Sequence, residues 1–254
     1  MTNLFFCTTE QVAIFLPDLE IGSSSDATKE AIELDISDKY SELLEIIERN
    51  GYQINNPTAH QKDVLSLLNQ VSPAVKLIFR RASSLPSEIF RYLKPLPELP
   101  KMLQEWFRLG YLSHSWRANS AIQQNERTAL AAVEDCTSLV IAFTASEKTK
   151  PSKATIKEWV YQWSALVYSL AAKQGYPTPS DTNLLYPNAA RVYKNLVRTI
   201  VAYQIYLVQM LLFSFADQGD QVLPLATNTD SLLKEAKQQF QDFILGKKKS
   251  NFVR

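Results

Sequence analysis

The sequence predicts an all-α protein of two helical lobes, with a central buried helix and an N-terminal arm. Apolar residues recur at helical spacing along most of the chain. Glycine, which is costly inside helices, is limited to six positions where a helix would end or a loop would run. Apolar residues make up 46% of the 254 positions, which is enough to bury a sizeable core.

Residues 1–35 are predicted to form the arm and its hinge. A short first element precedes the sequence SSSDAT at 23–28, whose serine-rich composition indicates a flexible connection. The first lobe, 36–112, then begins with an amphipathic helix that Ser37 starts and Gly51 ends.

Proline marks the expected boundaries in the rest of this lobe. A helix over 58–70 precedes Ser72-Pro73, a pair typical of an N-cap followed by proline at the first helical position. A new helix is therefore expected to begin there and to run to Arg81. Three later prolines are expected to force an extended corner before a short amphipathic helix over 101–109: Pro95, Pro97 and Pro100.

The second lobe, 113–254, is expected to begin with a polar loop over 113–125 that joins the two lobes. Asn125 can cap a helix through Val140, although part of this segment is also strand-like.

The strongest helical patterns come next in the chain. One wide apolar stripe lies between Ser152, a start signal, and Gly175, a stop signal. A long helix from Asn188 to Phe215 is apolar on nearly all sides in its second half, as expected of a central buried helix. Its polar residues argue against membrane insertion. The last helix is expected to begin at Asp230 or Ser231, before a basic tail.

The sequence predicts no catalytic residue, no metal site and no cofactor. The two histidines, His60 and His114, have no Cys, His or acidic partner at ligand spacing. Glycine-rich phosphate loops and nucleophile motifs are absent from the sequence. Cys7 and Cys136 lie far apart, which suits a reducing compartment. The chain is therefore predicted not to be an enzyme.

Charge is distributed unevenly along the chain. Residues 1–50 hold eleven acids and three bases, whereas the remainder holds 24 bases and 15 acids. An acidic head and a basic body suit a protein that engages a polyanion through the body. The head could equally lie on the basic body of a neighbouring copy, and ordinary surface charge is the alternative to both.

Cations interrupt an apolar stretch at 75–94, VKLIFRRASSLPSEIFRYLK. Phosphates are bound by such cations, and nearby rings can stack on exposed bases. A second basic stripe occurs at i, i+3, i+7 in the long helix, and the two groups would line one cleft if they faced each other. The candidate stacking rings near loops or helix ends are Tyr52, Tyr92, Tyr111 and Tyr186. The candidate RNA-binding cations are Arg80, Arg81, Arg91, Lys94, Arg191, Lys194 and Arg198.

Short motifs in this order resemble the nucleoproteins of segmented negative-strand RNA viruses of the phenuivirus kind. Asn50-Gly51-Tyr52-Gln53 is similar to an aromatic turn of that family, with Gln53 in place of Asp. The family's Gly and Lys after the basic arginine are replaced by Ala82, Ser83 and Ser84, and its His-Pro-Ser-Phe-Ala is absent. The other similar segments are Lys76 to Arg81 with Pro86, Trp106 to Leu112, Tyr186-Pro187 and IYLVQMLLFSF at 205–215.

This resemblance implies a protein that binds single-stranded genomic RNA in a basic cleft between two helical lobes. It implies homo-oligomers in which the N-terminal arm docks on the next protomer, in the virion and the host cytoplasm, with a viral polymerase as a further partner. Arg80 or Arg81 would be the RNA-contacting arginine and Tyr52 the stacking ring. The docking side chains would be Phe5, Phe6, Val12, Ile14, Phe15 and Leu16.

Two other functions remain open at this stage. One is a helical subunit of a cellular ribonucleoprotein, such as an RNA-guided complex, which shares the basic face but not the arm. The other is a protein-binding adaptor without nucleic acid.

Overall fold

The computed structural model describes residues 5–16, 28–52, 54, 57–82, 85–112, 127–176, 187–216 and 219–245. These residues are largely helical and contain no strand, so the predicted all-α class is confirmed. The predicted inter-lobe loop at 113–125, most of the hinge at 23–28 and the basic tail at 246–254 lie outside the described residues.

The helices are numbered in chain order. They are α1 (Thr9–Ala13), α2 (Lys29–Arg49), α3 (Ala59–Ala82), α4 (Ser87–Leu93), α5 (Glu98–Trp106), α6 (Val133–Thr137), α7 (Lys153–Gln174), α8 (Pro187–Phe215) and α9 (Gly219–Ile244). A π-helical turn, Phe107–Tyr111, continues α5.

Helix α8 lies at the centre of the fold, packed against α6, α7 and α9. Helix α3 packs against α1, α2, α5 and α7, and α4 packs against α9. One cluster of buried apolar side chains includes residues from each predicted part of the chain, 1–35, 36–112 and 113–254. The helices of the two predicted lobes therefore share one core.

The boundaries of α7 and α8 confirm the strongest sequence patterns. Ser152 caps α7 by accepting a hydrogen bond from the Thr155 amide at 3.2 Å. Gly175 ends α7 with φ +64°, a left-handed conformation that glycine adopts without steric cost. Residues 188–215 of α8 are long and apolar enough to cross a membrane, but 78% of the most apolar window is buried inside this protein.

Two predicted helix starts are wrong, since each helix begins earlier and continues through an internal proline. Ser72-Pro73 starts no helix, since α3 is continuous and Pro73 is buried within it. The last helix begins at Gly219 and contains Pro224, well before Asp230. An internal proline costs ~3 kcal/mol, which tertiary packing of a long apolar face can exceed.

Two other boundaries differ from the prediction for local reasons. Helix α2 begins at Lys29, because the Thr28 hydroxyl caps the Ala31 amide at 3.2 Å. Residues 29–35, assigned to the arm and hinge from sequence, are therefore the first turns of α2. Within the predicted 125–140 helix, the described residues form only the short helix α6. Turns follow α6 and extend to Ala142, whose φ is 56°.

The core also contains paired polar side chains. The Gln70 amide donates a hydrogen bond to the side-chain oxygen of Gln162. The side-chain nitrogen of Gln162 in turn donates to the Ser66 hydroxyl at 3.2 Å. The Trp163 indole donates to Gln204 at 2.9 Å. These bonds connect α3 to α7 and α7 to α8 within the buried interior.

Candidate nucleic-acid interface

Arg80 lies in the last turn of α3 and points towards α2. Its guanidinium lies 2.7 Å from one carboxylate oxygen of Asp35, and the Lys76 ammonium lies 3.0 Å from the other. The Asp35 side chain is buried, whereas the two cations that share its carboxylate are about half exposed. This corner retains one net positive charge and ties α2 to α3.

Arg81 points to a different neighbour. Its guanidinium lies 5.5 Å from the ring centroid of Phe215, the last residue of α8. Phe79, two residues earlier, meets Phe90 of α4 edge to face at 5.8 Å. The end of α3, the end of α8 and α4 therefore meet at one end of the molecule.

Arg91 and Tyr92 form a pair of an exposed cation and a half-buried ring on α4. The Arg91 guanidinium donates to the Tyr92 hydroxyl at 2.7 Å and lies 4.8 Å from the ring centroid. This hydrogen bond, with a second from Thr227 of α9, lowers the pKa of Tyr92 below its ordinary value. The Tyr92 ring is half-buried, so part of it remains accessible.

A surface groove of about 320 Å³ lies between α9 and the corner that joins α4 to α5. Lys234 pairs with Asp230 at 2.6 Å, and Lys237 pairs with Glu98 at 2.9 Å. Lys94 also lines the groove and has no ion pair among the described residues. We call this surface the basic groove and define it by its lining cations, Lys94, Lys234 and Lys237, with Glu98 and Asp230 as its acids.

Lys234 and Lys237 were not predicted as site residues. Their spacing of three along α9 resembles that of Arg191 and Lys194, so helical spacing could have found them. What the sequence does not show is that α4 packs against this face of α9.

The second predicted group lies near α6. Lys194 pairs with Asp135 at 2.7 Å, and Arg191 is exposed. Burial favours a higher pKa for Asp135, but hydrogen bonds from Lys194 and the Ala132 amide, with the charge of Arg198, lower it overall. This stripe is thus partly neutralised by an acid of its own chain.

The structure does not bring Arg81 of the first predicted group near Lys194 of the second. Arg81 contacts Phe215, and Lys194 lies 21 residues earlier in the same helix. At 1.5 Å per residue, this separation is roughly 30 Å along the axis. The expected single crevice lined by both groups is therefore not formed by these residues.

Tyr52, the predicted stacking ring, follows the helix stop at Gly51, whose φ is +78°. Its ring is half-buried and packs against the apolar core. This packing ties the Tyr52 ring to the core beside the turn that ends α2.

The predicted docking side chains of the N-terminal segment pack on their own chain. Val12, Phe15 and Leu16 are buried, and the Phe15 ring lies 5.5 Å from that of Trp159 on α7. The side chain of Thr8 caps α1 through reciprocal hydrogen bonds with Gln11. The remaining docking candidates, Phe5, Phe6 and Ile14, are half-buried. The ring centroids of Phe5 and Phe6 lie 5.6 and 4.9 Å from that of Tyr40.

The two buried cysteines are expected to resist modification until the protein opens. Burial raises the pKa of both thiols, Cys7 and Cys136, to about 12, and for Cys7 it outweighs the opposing effect of Asn69. Because the thiolate is the nucleophile, native protein at pH 8 should react slowly with a disulfide reagent and completely in denaturant. A Cys136→Ser variant isolates Cys7, and rapid native labelling of that variant would mean that the N-terminal segment is open.

Comparisons of the chain with protein-family models, curated proteins and solved structures found no match. Within the described ranges, no group of three or more His, Cys, Asp or Glu side chains is placed to hold a metal ion.

Proposed function

We propose that this chain is a viral nucleoprotein that binds single-stranded RNA and forms homo-oligomers through its N-terminal segment. The basic groove is the observation that supports the RNA-binding part, because it gathers the predicted cation Lys94 with two more from α9, and Arg91 lies one helical turn before Lys94. The proposal includes the virion and host cytoplasm as locations and a viral polymerase as a partner. It includes no catalysis, no cofactor and no membrane insertion.

Binding in the proposal is electrostatic and tolerant of sequence. Lysine and arginine side chains that neutralise phosphates release condensed counterions, which gives affinity without reading bases. The accessible part of the Tyr92 ring offers a surface for base stacking beside these cations. The stripe of Arg191, Lys194 and Arg198 is a second contact along the same strand.

Self-assembly in the proposal uses the site that the N-terminal segment already fills. The burial of Val12, Phe15 and Leu16 means that α3 and α7 can receive this segment. Eleven residues, 17–27, connect Leu16 to Thr28. A chain of that length reaches at most ~40 Å, so the same segment can reach an equivalent site on an adjacent protomer.

Removal of two groove cations is expected to weaken RNA binding without changing its sequence preference. Lys94→Ala/Lys234→Ala should lower the affinity for a short single-stranded RNA by roughly tenfold at low salt and make its salt dependence shallower by about 1.4, since each lost contact on a single strand contributes ~0.7. The measurement is fluorescence anisotropy on oligo(U) and on a mixed-sequence RNA, across salt concentrations.

Lys148→Ala/Lys157→Ala is the matched control, because both side chains are exposed and lie outside the groove. An equal loss of affinity in the control would place the binding surface elsewhere. RNA affinity that does not respond to salt, or no affinity at all, would instead favour the protein-binding adaptor.

A further inference from the structure

Helix α2 carries an uncovered acidic stripe on the side opposite its buried face. Ile32, Ile36, Leu43 and Ile47 face the core. The residues on the outer side recur every three or four positions, and all of them are exposed. We call this stripe the acidic face, and its residues are Glu30, Leu34, Asp38, Ser41, Glu45 and Glu48.

The charges of the acidic face are mostly unopposed. Among the described residues, Arg49 is the one cation that pairs with it, through Glu45, and both partners are largely exposed. Such surface pairs contribute at most ~1 kcal/mol and exchange readily with other partners. Within the stripe, Leu34 leaves 62% of its surface exposed between carboxylates. This combination suits a basic surface that also offers an apolar contact.

The basic groove has the complementary composition. Leu223 lies on the same side of α9 as Lys234 and Lys237 and is 51% exposed. Arg91 lies one helical turn before Lys94, next to the groove. The cations that line the groove outnumber its two acids, Glu98 and Asp230: Lys94, Lys234 and Lys237.

The two surfaces also match in length, and they cannot meet within one chain. The acidic face runs for roughly 27 Å along α2, and the stretch from Leu223 to Lys237 for roughly 21 Å along α9. Helix α5 lies between them, because Gln104 accepts a hydrogen bond from Lys39 of α2 at 3.1 Å and Glu98 accepts one from Lys237 of α9. An acidic face that enters a basic groove must therefore come from another molecule.

We propose that the acidic face of one copy docks in the basic groove of a second copy. This contact rests on the self-assembly part of the proposed function and adds an interface that does not involve the N-terminal segment. Charge complementarity between two surfaces of the same chain identifies the occupant as a second copy. Because RNA phosphates are proposed to bind the same cations, RNA and the acidic face compete, and the docked form is the one without RNA.

The test is a charge exchange in RNA-free protein. One variant reverses the acidic face, Asp38→Lys/Glu48→Lys, and the other reverses the groove, Lys94→Glu/Lys234→Glu. All four side chains are exposed, so folding should be retained. Sedimentation velocity at about 50 mM salt, where screening is weak, measures self-association of wild type, of each variant alone and of their equal mixture.

We expect each variant alone to associate at least tenfold more weakly than wild type, because like charges then face each other. In the mixture, the reversed face of one variant meets the reversed groove of the other with opposite charge, so association should return to within about threefold of wild type. High salt should weaken the wild-type contact, since the Debye length falls to ~3 Å at 1 M. A control, Glu147→Lys/Glu235→Lys, changes the net charge as much as the face variant does, on residues outside both surfaces, and should associate as wild type does.

A mixture that associates no better than its components would overturn the contact, as would single variants that associate normally. Two parallel readouts separate this outcome from failure of the proposed function. RNA affinity of Asp38→Lys/Glu48→Lys should not fall, because its groove is intact, and slow labelling of Cys7 in every variant reports that the N-terminal segment is closed. If wild type binds no RNA, the RNA proposal fails, while the mixing result still decides the contact.

Discussion

Replacement of Arg127 by alanine is expected to destabilise the protein by about 3 kcal/mol. The guanidinium donates to Asp63 of α3, with Nε to Oδ2 at 2.8 Å, and to Glu158 of α7 at 2.8 and 2.7 Å. It also lies 4.3 Å from the ring centroid of Tyr161. The Asp63 side chain is only 8% exposed, so the substitution leaves a buried carboxylate without its cation.

The loss of stability should depend on pH. Burial raises the pKa of Asp63 above its ordinary value of 3.8, and the hydrogen bond and charge of Arg127 only partly oppose this. A raised carboxyl pKa means that the folded state binds the proton more tightly, so stability falls as pH rises through that pKa. Without Arg127 the pKa of Asp63 should rise further. The destabilisation should therefore be smaller near pH 4 than at pH 7 in urea unfolding experiments.

Two variants control for this interpretation. Arg127→Lys keeps the charge but loses the planar donor fork, so it should be intermediate in stability. Asp63→Asn in the Arg127→Ala background removes the unpaired charge and should recover about 1 kcal/mol or more. No recovery in that double variant would mean that the cost arises from lost packing on Tyr161 and not from the buried carboxylate.

Truncation of Phe240 is expected to destabilise the protein even more, by about 4 kcal/mol for Phe240→Ala. The ring is fully buried, stacks on Trp106 of α5 with centroids 4.5 Å apart, and meets Trp163 of α7 edge to face at 5.8 Å. It therefore joins three helices in one contact. For a chain of this size, such a loss lowers the melting temperature by about 8–16 °C.

Differential scanning calorimetry measures this change, and the fluorescence of the four tryptophans, two of which contact Phe240, follows the same transition. Phe240→Leu retains most of the apolar volume and should cost clearly less than the alanine variant. A decrease of only one or two degrees for Phe240→Ala would show that the three-helix contact does not limit stability.

Local patterns were sufficient for the best-defined helices. The stripe between Ser152 and Gly175 located α7 to the residue, because a cap, an apolar face and a left-handed glycine agree. Proline gave a wrong boundary at Pro73, and the cap residues Asp230 and Ser231 predicted too late a start for α9, because rules for an isolated helix ignore the packing that stabilises a buried one.

Pairings between residues distant in the sequence limited how much of the candidate site could be predicted. Arg80 binds Asp35, and Arg127 binds Asp63 across 64 positions, and no periodicity in the sequence indicates either pair. The grouping of Lys94 with Lys234 depends on how α4 meets α9. The sequence could indicate which residue types bind phosphate, but helix packing decided which of them share a surface.

The buried hydrogen bonds from Gln70 to Gln162 and from Trp163 to Gln204 have a consequence for how the core helices align. Apolar side chains tolerate a slide of one helix past another, since Leu can replace Leu as a neighbour. A slide of one turn, ~5.4 Å, would separate both pairs and leave amides without partners in a dry interior, at ~1–3 kcal/mol each. These hydrogen bonds therefore favour a single register of α3, α7 and α8 relative to one another.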